Sequence, residues 1–437
     1  MTLTPSGFLR SCFLAGVDAV KPERLFPEQL LAPTIGARPT ALLAIGKAAA
    51  PMAAALDRSL AGLGRVPQTS LIIGAGQPGE HFSGDHPLPG NASRRAADAL
   101  ARWIDGLPEA VDVHVALSGG ASSLIAAPRP PLAPHEMEQF FAQLLVAGLE
   151  IAEMNLFRKR VTQWSAGRLA AALAPRRVIG WVISDVPGDD PADAGSGPLS
   201  PDRTSSSDAC ARLSSHGLWD QVTPAIRQAF ATETLKPGAS ELARVDIHVI
   251  ARNADAMAAA GAFANRHGIR VHGSTPPLRG EAADAGAAIA KTLVEAFRRA
   301  ETSLLLSPDI PELWLYGGET VVALPDHSLP GGRNQELALA AANYLALGGG
   351  SSCTTLLSAG TDGRDGTTDV AGAVVDGDTW ARVKAADRDP DADLRSHDAH
   401  GALVAASATW DPGVTETNVM DLVLALRSRN EVSDLQR

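Results

Sequence analysis

The sequence predicts a doubly wound α/β protein of two unequal α/β lobes, and three observations lead there. Short apolar, β-prone runs alternate with Ala-rich segments of helical period, the pattern of a sheet covered by helices. Hydrophobic residues fill 45% of the 437 positions but aromatics only 4%, so the core must be built from Ala, Leu and Val. Around Phe230–Leu242 the periodicity lapses over Lys236, Pro237 and Gly238 before a new strand restarts the alternation. That places a domain boundary between residues 1–236 and 237–437.

Taken in order, the apolar runs put strands at Thr40–Ile45, Ser70–Ile73, Val111–Leu117, Val178–Ser184, Val245–Ile250, Ile269–His272 and Thr354–Ser358, with a short strand Val321-Val322 after Gly317-Gly318-Glu319-Thr320. Segments with Ala and Leu at helical spacing put helices at Ala48–Leu60, Ala92–Trp103, His135–Leu149, Arg168–Leu173, Ala254–His267, Ala282–Arg299 and Asn334–Leu347. Residues Met1–Val20 carry Arg10 and Asp18 around a short apolar patch, with no basic leader before it, and read as an amphipathic first helix. No period of about 20–50 residues repeats, which excludes solenoids and propellers.

Charge narrows the function. Lys plus Arg number 38 and Asp plus Glu 49, so the formal net charge is 38 − 49 = −11. That balance argues against a chain devoted to nucleic acid or to an anionic membrane surface. Cys12, Cys210 and Cys353 lie far apart and are odd in number, which suggests neither a disulfide framework nor a metal cluster. The longest apolar stretches fall short of the ~18 residues that span a bilayer. A cytoplasmic location is the expectation.

In open α/β sheets ligands gather beyond the carboxyl ends of strands, so the loops after strands carry the chemistry. Ala44-Ile45-Gly46-Lys47-Ala48 places Lys47 near a helix start, where a cation opposes the helix dipole by roughly 0.3–1 kcal/mol. An anionic ligand would relieve that opposition; a solvated lysine is the plainer alternative. The loop is not a phosphate-binding Walker motif, because Ala41 and Ala48 stand where Gly and Ser or Thr are required. Val115 to Ser123 runs a strand into Ser118, Gly119, Gly120, Ala121, Ser122 and Ser123, where glycines let backbone N–H groups close on a phosphate. An ordinary tight turn is the alternative. Ser184-Asp185-Val186-Pro187-Gly188-Asp189-Asp190-Pro191 gathers three carboxylates that repel unless a cation or a substrate donor sits between them. Asp and Gly are also common turn formers.

The second lobe repeats the theme in Gly317-Gly318-Glu319-Thr320, in Gly331-Gly332-Arg333-Asn334-Gln335-Glu336 and in Ser358-Ala359-Gly360-Thr361-Asp362-Gly363-Arg364-Asp365-Gly366. Arg333 at a helix start has the same unfavourable dipole placement as Lys47. Each lobe thus offers one cation and several carboxylates, as expected of a cleft enzyme that handles a phosphorylated substrate with a divalent metal. Gly74-Ala75-Gly76-Gln77-Pro78-Gly79 matches the spacing of a dinucleotide fingerprint, but Pro78, Pro87 and Pro89 continue an irregular loop where a helix must open. In that loop His86 is either a cleft imidazole or a structural histidine. The sequence carries no metalloprotease His-Glu-x-x-His, no G-x-S-x-G elbow and no protein-kinase signature.

These segments resemble the bacterial glycerate kinase type-2 family, whose second half is called the MOFRL domain. The resemblance runs from Gly46-Lys47-Ala48-Ala49 to Thr417-Asn418-Val419-Met420-Asp421-Leu422. Between them match Gly84-Asp85-His86-Pro87-Leu88-Pro89, Leu117–Leu124, Ser184–Asp190, Gly197-Pro198, Pro201-Asp202, Gly317–Thr320, Gly332–Leu337 and Ser358–Gly363. It implies a Rossmann-like amino-terminal lobe, a smaller carboxy-terminal lobe, and ATP-dependent phosphorylation of D-glycerate, usually at the 2-hydroxyl, in a cleft between them. By the same resemblance Lys47, Asp189 and Arg333 are catalytic and the 118–123 loop, with Asn334, takes ATP. Asp189 and Asp190 are base or Mg2+ ligands, and His86, Glu319 and Asp362 meet the substrate. A homodimer is left open. Three stretches depart from the family pattern: Arg160 and Ser165 replace an expected His and Lys, His397-Asp398 replaces Asn-Asp, and Glu416 enters the Pro412–Asn418 segment. Two rival readings stay in play, an NAD(P)H-dependent hydroxypyruvate reductase and a non-catalytic nucleotide-binding relative.

Overall fold

The computed structural model describes residues 2–86, 88–147, 149, 151–273, 276–302, 310–323, 329–348, 353–428 and 432–433. Pro87 and the last residues expected of the helix His135–Leu149 fall partly outside them. The chain forms two compact units, Pro22–Ala251 and Met1–Lys21 with Arg252–Arg437. This division differs from the expected one because Val245–Ala251 pairs in parallel with Arg177–Ile183 as the last strand of the first sheet. The lapse at Phe230–Leu242 therefore lies inside a unit, and the break follows Ala251.

In the unit 22–251 six strands pair in parallel, in the spatial order Phe82–Ser83, Ser70–Gly74, Thr40–Ile45, Asp112–Leu117, Arg177–Ile183, Val245–Ala251. Numbered along this sheet by sequence, that is 3-2-1-4-5-6, the doubly wound Rossmann order. Thr40–Ile45 and Asp112–Leu117 are buried along their whole length, as strands with helices on both faces must be. Ala41, Leu43, Ile45, Val113, Val115, Leu117, Val178 and Val182 meet the helix Asn91–Asp105 through Ala96, Ala97 and Leu100 in one core. A separate helical core joins Pro134–Val146, Ile151–Val161 and Pro224–Ala231, where Phe140 and Phe157 each lie 5.8 Å from Phe230.

The other unit begins with the expected first helix, Pro5–Ala19, whose Thr4 hydroxyl caps the Gly7 N–H. It lies on Asn253–Arg266, with Phe8 against Phe263 and His267. Gly16 permits this approach, because a Cβ there would stand 2.7 Å from the Ala256 carbonyl oxygen. The sheet runs Thr409–Trp410, Gly372–Asp376, Thr354–Gly360, Asp421–Arg427, Glu312–Gly318, Arg270–Gly273, and only the last pair is parallel. The expected Rossmann-like parallel sheet is thus the first one, and the second lobe is α/β around a mixed sheet. Val321-Val322 is not a strand: Gly317-Gly318 ends the strand Glu312–Gly318 and Val321 makes only an isolated bridge to Glu281. Behind the sheet Arg333–Leu347 is buried nearly all round, packed on Ala282–Thr302 and on Leu356, Val375 and Val423.

One buried ion pair fixes register here. Arg427 and Glu312 are opposite each other on adjacent strands; Arg427 Nε and Nη2 donate to Glu312 Oε2 at 3.1 and 2.8 Å, and the Arg427 side chain is 2% exposed. Burial alone would raise the Glu312 carboxyl, but Arg427 and His272 outweigh it and hold it below the ordinary glutamate value. Glu312→Gln should cost about 3 kcal/mol, since removing one partner of a buried pair leaves the other uncompensated. The stabilisation from this lowered carboxyl is complete above the unfolded glutamate value and is lost as pH falls through the folded one. Urea melts at pH 7 and pH 4 should therefore show a smaller difference for Glu312→Gln than for the parent chain.

Candidate active site

The strand order of the first sheet reverses between Thr40–Ile45 and Asp112–Leu117, and the crevice beyond their carboxyl ends is the ligand position of such sheets. The loops that leave these two strands are Gly46-Lys47 and Ser118–Ser123. They are stitched together: the Ser118 N–H donates to the Ile45 carbonyl at 3.1 Å, the Lys47 N–H to the Gly119 carbonyl at 2.9 Å, and the Ala48 N–H to the Ser118 hydroxyl at 3.0 Å. Gly46 has φ +133°, and a Cβ on it would stand 2.1 Å from Ser118 Oγ, so only glycine fits.

Gly120, at φ +83°, is the floor of the crevice. A Cβ there would meet His86 Cδ2 at 3.1 Å and Lys47 Cγ at 3.4 Å, so an imidazole and a lysine stem converge on one backbone point. His86 is brought there by Asp85, whose carboxylate accepts the Ala92 and Ser93 N–H groups at 2.8 and 3.2 Å and pins the loop to the start of Asn91–Asp105. Gly84 passes so near Leu124 that a Cβ would lie 2.3 Å from its carbonyl oxygen. Burial, then Lys47, then Arg158 lower His86 from its ordinary value to about 4, so the ring is neutral near pH 7.

The hydroxyls of the 118–123 loop are not all turned to a ligand. Ser118 is used in the stitch, and Ser122 accepts from Ser196 Oγ at 3.0 Å. Ala121 packs under Gly195, where a Cβ would come within 2.9 Å of it. What the loop presents at its turn is Gly119-Gly120 and the side chains above them.

The three carboxylates after Arg177–Ile183 separate by role. Asp189 is held at φ +55°, a costly conformation for aspartate, and its buried Oδ1 has no hydrogen-bond partner among the described residues. Asp190 serves its own turn: Oδ1 accepts the Ala192 N–H at 2.9 Å and Oδ2 faces Arg203 at 3.4 Å. Asp185 is less buried than the strand before it. Among the described residues no three His, Cys, Asp or Glu side chains gather to hold a metal. A divalent ion there would rest on Asp189 and on oxygens supplied by a ligand, the manner in which Mg2+ accompanies phosphates.

In the other unit the charges are answered internally. Arg333 opens Arg333–Leu347 as the sequence suggests, but its Nε and Nη2 donate to Asp421 at 2.5 and 2.9 Å and its Nη1 lies 2.9 Å from Glu319. Burial opposes the charge, yet Asp421, Glu319 and Asp365 outweigh it and raise the guanidinium further. The helix N-terminus is likewise occupied: Asp365 accepts the N–H groups of Asn334 and Gln335 at 3.1 and 2.9 Å, and their side-chain amides at 3.3 and 3.0 Å. Asn334 spends its remaining oxygen on Ser358 at 2.7 Å. Asp362 shapes its own loop, accepting the Arg364 N–H at 3.0 Å.

The departures from the family pattern are absorbed in the same way. Arg160 is fully buried, 3.3 Å from Asp202, and Ser165 accepts from Thr162 at 2.6 Å. His397 pairs with Glu336 at 2.9 Å, Asp398 caps Gly401, and Glu416 sits exposed in the left-handed region. The dinucleotide-like loop is closed to a pyrophosphate, since the Ala75 and Gly76 N–H groups donate to Glu80 at 3.0 and 2.7 Å. At the crevice Asn155 carried no signal in the sequence, Ser196 stood without an assigned role in the Gly195-Ser196-Gly197-Pro198 continuation of the carboxylate loop, and Arg158 stood without one in the stretch Arg158–Gly167, for which the family resemblance implies a helix.

Fold and loops together define a doubly wound α/β enzyme with a small-ligand crevice at its switch point. Residues 8–231 match the family described as a domain of unknown function, DUF4147, and residues 312–421 match the MOFRL family. A D-glycerate 2-kinase of Thermotoga maritima is 34% identical over 418 residues, 94% of this chain and 95% of that protein. An Agrobacterium vitis protein provisionally named hydroxypyruvate reductase is 33% identical over 383 residues, 86% of this chain and 84% of its own. The crystal structure of a Thermotoga maritima glycerate kinase superposes with a TM-score of 0.80 at 32% identity, covering 97% of this chain and 100% of that one. The chain belongs to the glycerate kinase type-2 family.

The proximity of Lys47 to His86 has a measurable consequence. In Lys47→Met the imidazole should titrate above about 4, moving toward its ordinary value of 6.5, because one of the two cations that oppose its protonation is gone. An NMR titration of the His86 ring checks this; an unchanged midpoint would separate the two side chains.

Proposed function

We propose that this kinase transfers the terminal phosphoryl group of ATP to the 2-hydroxyl of D-glycerate, giving 2-phosphoglycerate and ADP. The observation that carries the reading is the convergence of Lys47 and His86 on Gly120 at the switch point, in a chain of this family. The bond between the terminal phosphorus and the ADP oxygen breaks, a bond from that phosphorus to the substrate oxygen forms, and the hydroxyl proton passes to Asp189. Asp189 suits that task because its buried Oδ1 has no other hydrogen bond. Lys47 meets the negative charge of the transferring group, and neutral His86 donates or accepts a hydrogen bond without adding charge. Mg2+ bound with the nucleotide would spread the phosphate charge. Arg333, Glu319 and Asp362 are assigned to substrate through the family pattern, Arg333 being held rigid by Asp421. Asn334 is a structural residue in this reading, committed to Asp365 and Ser358.

Against the reductase reading, the turn with dinucleotide spacing has its Ala75 and Gly76 N–H groups taken by Glu80. NADH with hydroxypyruvate should show no loss of absorbance. ATP offered with a panel of small hydroxy acids should yield a phosphorylated glycerate seen by phosphorus NMR, and chelating the divalent ion should stop it. Lys47→Ala and Arg333→Ala should each lower kcat by about 100-fold or more, the scale of losing one charge-stabilising group. Normal turnover by folded Lys47→Ala would overturn the assignment, and nucleotide binding without ADP release would favour a non-catalytic relative.

A further inference from the structure

We infer that Arg158 is an oxyanion-binding residue of the switch-point site, its guanidinium acting with Lys47 to receive an anionic oxygen group of a reactant. The carboxylate of the hydroxy acid and a phosphate of the nucleotide share that chemistry. The inference rests on the kinase reading and adds a residue to it.

Arg158 lies on the helix Ile151–Val161, one turn after Asn155 and next to Lys159. Both neighbours anchor that helix near the crevice. Asn155 lies 3.5 Å from Ser196 Oγ, which donates to Ser122 of the 118–123 loop, and Lys159 pairs with Asp193 at 2.9 Å in the loop that carries Asp189. Three consecutive cations then differ. Lys159 has Asp193 and Arg160 has Asp202, but among the described residues no carboxylate or hydrogen-bond acceptor meets the Arg158 side chain.

Its surroundings are those of a built receptor. Arg158 is 8% exposed, its guanidinium lies 5.2 Å from the centre of the Phe141 ring, and its buried Nε has no partner among the described residues. Phe141 is itself wholly buried in the helical core, so the guanidinium plane has a fixed backing. A buried guanidinium without a counter-charge is expensive, and an arriving anion removes that expense. Arg158 and Lys47 both oppose protonation of His86, whose ring borders Gly120 beside the Lys47 stem. A planar fork beside a lysine suits carboxylate or phosphate oxygens.

The test uses the full chain with Arg158→Gln and Arg158→Lys, varying D-glycerate and ATP separately. In Arg158→Gln the KM of one anionic reactant should rise about ten- to hundred-fold, the scale of a lost charged hydrogen bond, with partial recovery in Arg158→Lys. A rise for glycerate identifies the carboxylate, and a rise for ATP the phosphate. Unchanged values of both KM and kcat in folded Arg158→Gln overturn the proposal. Because the side chain is buried and its variants could misfold, a second measurement uses the unaltered protein. D-glycerate and inorganic phosphate are titrated in turn while NMR follows His86. An anion seated between the two cations should raise the imidazole from about 4; if neither anion moves it, the proposal fails. That readout needs no turnover, so a protein that shows the shift but makes no phosphorylated glycerate refutes the kinase reading and leaves the anion site standing.

Discussion

The crevice depends on one backbone arrangement, the three hydrogen bonds that tie the loop after Thr40–Ile45 to the loop after Asp112–Leu117. Two adjacent parallel strands whose crossovers go opposite ways leave their loops diverging, and without a tie each would be an independent surface turn. Gly46 lets the chains touch, Ser118 fills the contact, and Gly120 turns the second loop beneath Lys47 and His86. The side chains that do chemistry are thus placed by residues that do none, and their precision follows from the sheet rather than from the loops' own stiffness.

A contrast between the two units qualifies the argument from helix dipoles. A cation at a helix start does ask for negative charge nearby, as the sequence suggests for both Lys47 and Arg333. For Arg333 the protein supplies that charge itself through Asp421 and Glu319, and Asp365 closes the helix N-terminus. In the unit 22–251 the balance is different. Lys159 and Arg160 have carboxylates, whereas Arg158 has an aromatic ring and no counter-charge among the described residues. Unfavourable placement in a sequence thus marks where an anion must be; whether it belongs to the protein or to a ligand is decided by tertiary neighbours.

How much could be read from the residues alone follows the same line. Thr40–Ile45 was legible to the residue, and Ser70–Gly74, Asp112–Leu117 and Arg177–Ile183 within one or two, because strands buried on both faces are unbroken apolar runs. Arg168–Leu173 and Ala282–Thr302 announced themselves by alanine and leucine at helical spacing. Asp421–Arg427 did not, since its buried charged ends disguise a central antiparallel strand whose partners lie far away in sequence. Ile151–Val161 was legible only through the family resemblance, which implies a helix over Arg158–Gly167; the helix lies earlier in the chain, and its Arg158, Lys159 and Arg160 are buried. The loops of the site were visible through glycine and carboxylate density, but Asp190 and Asn334 could not be told from Asp189 until their hydrogen bonds were seen.

The helix Pro5–Ala19 buries Phe8, Leu9, Phe13 and Val17 in the unit that resumes at Arg252. The unit 22–251 is therefore threaded as an insertion within the other, and the helix Pro5–Ala19 must wait until the chain resumes at Arg252 before its apolar face is covered. During synthesis that face stays exposed and aggregation-prone for the whole time the intervening sheet is being made.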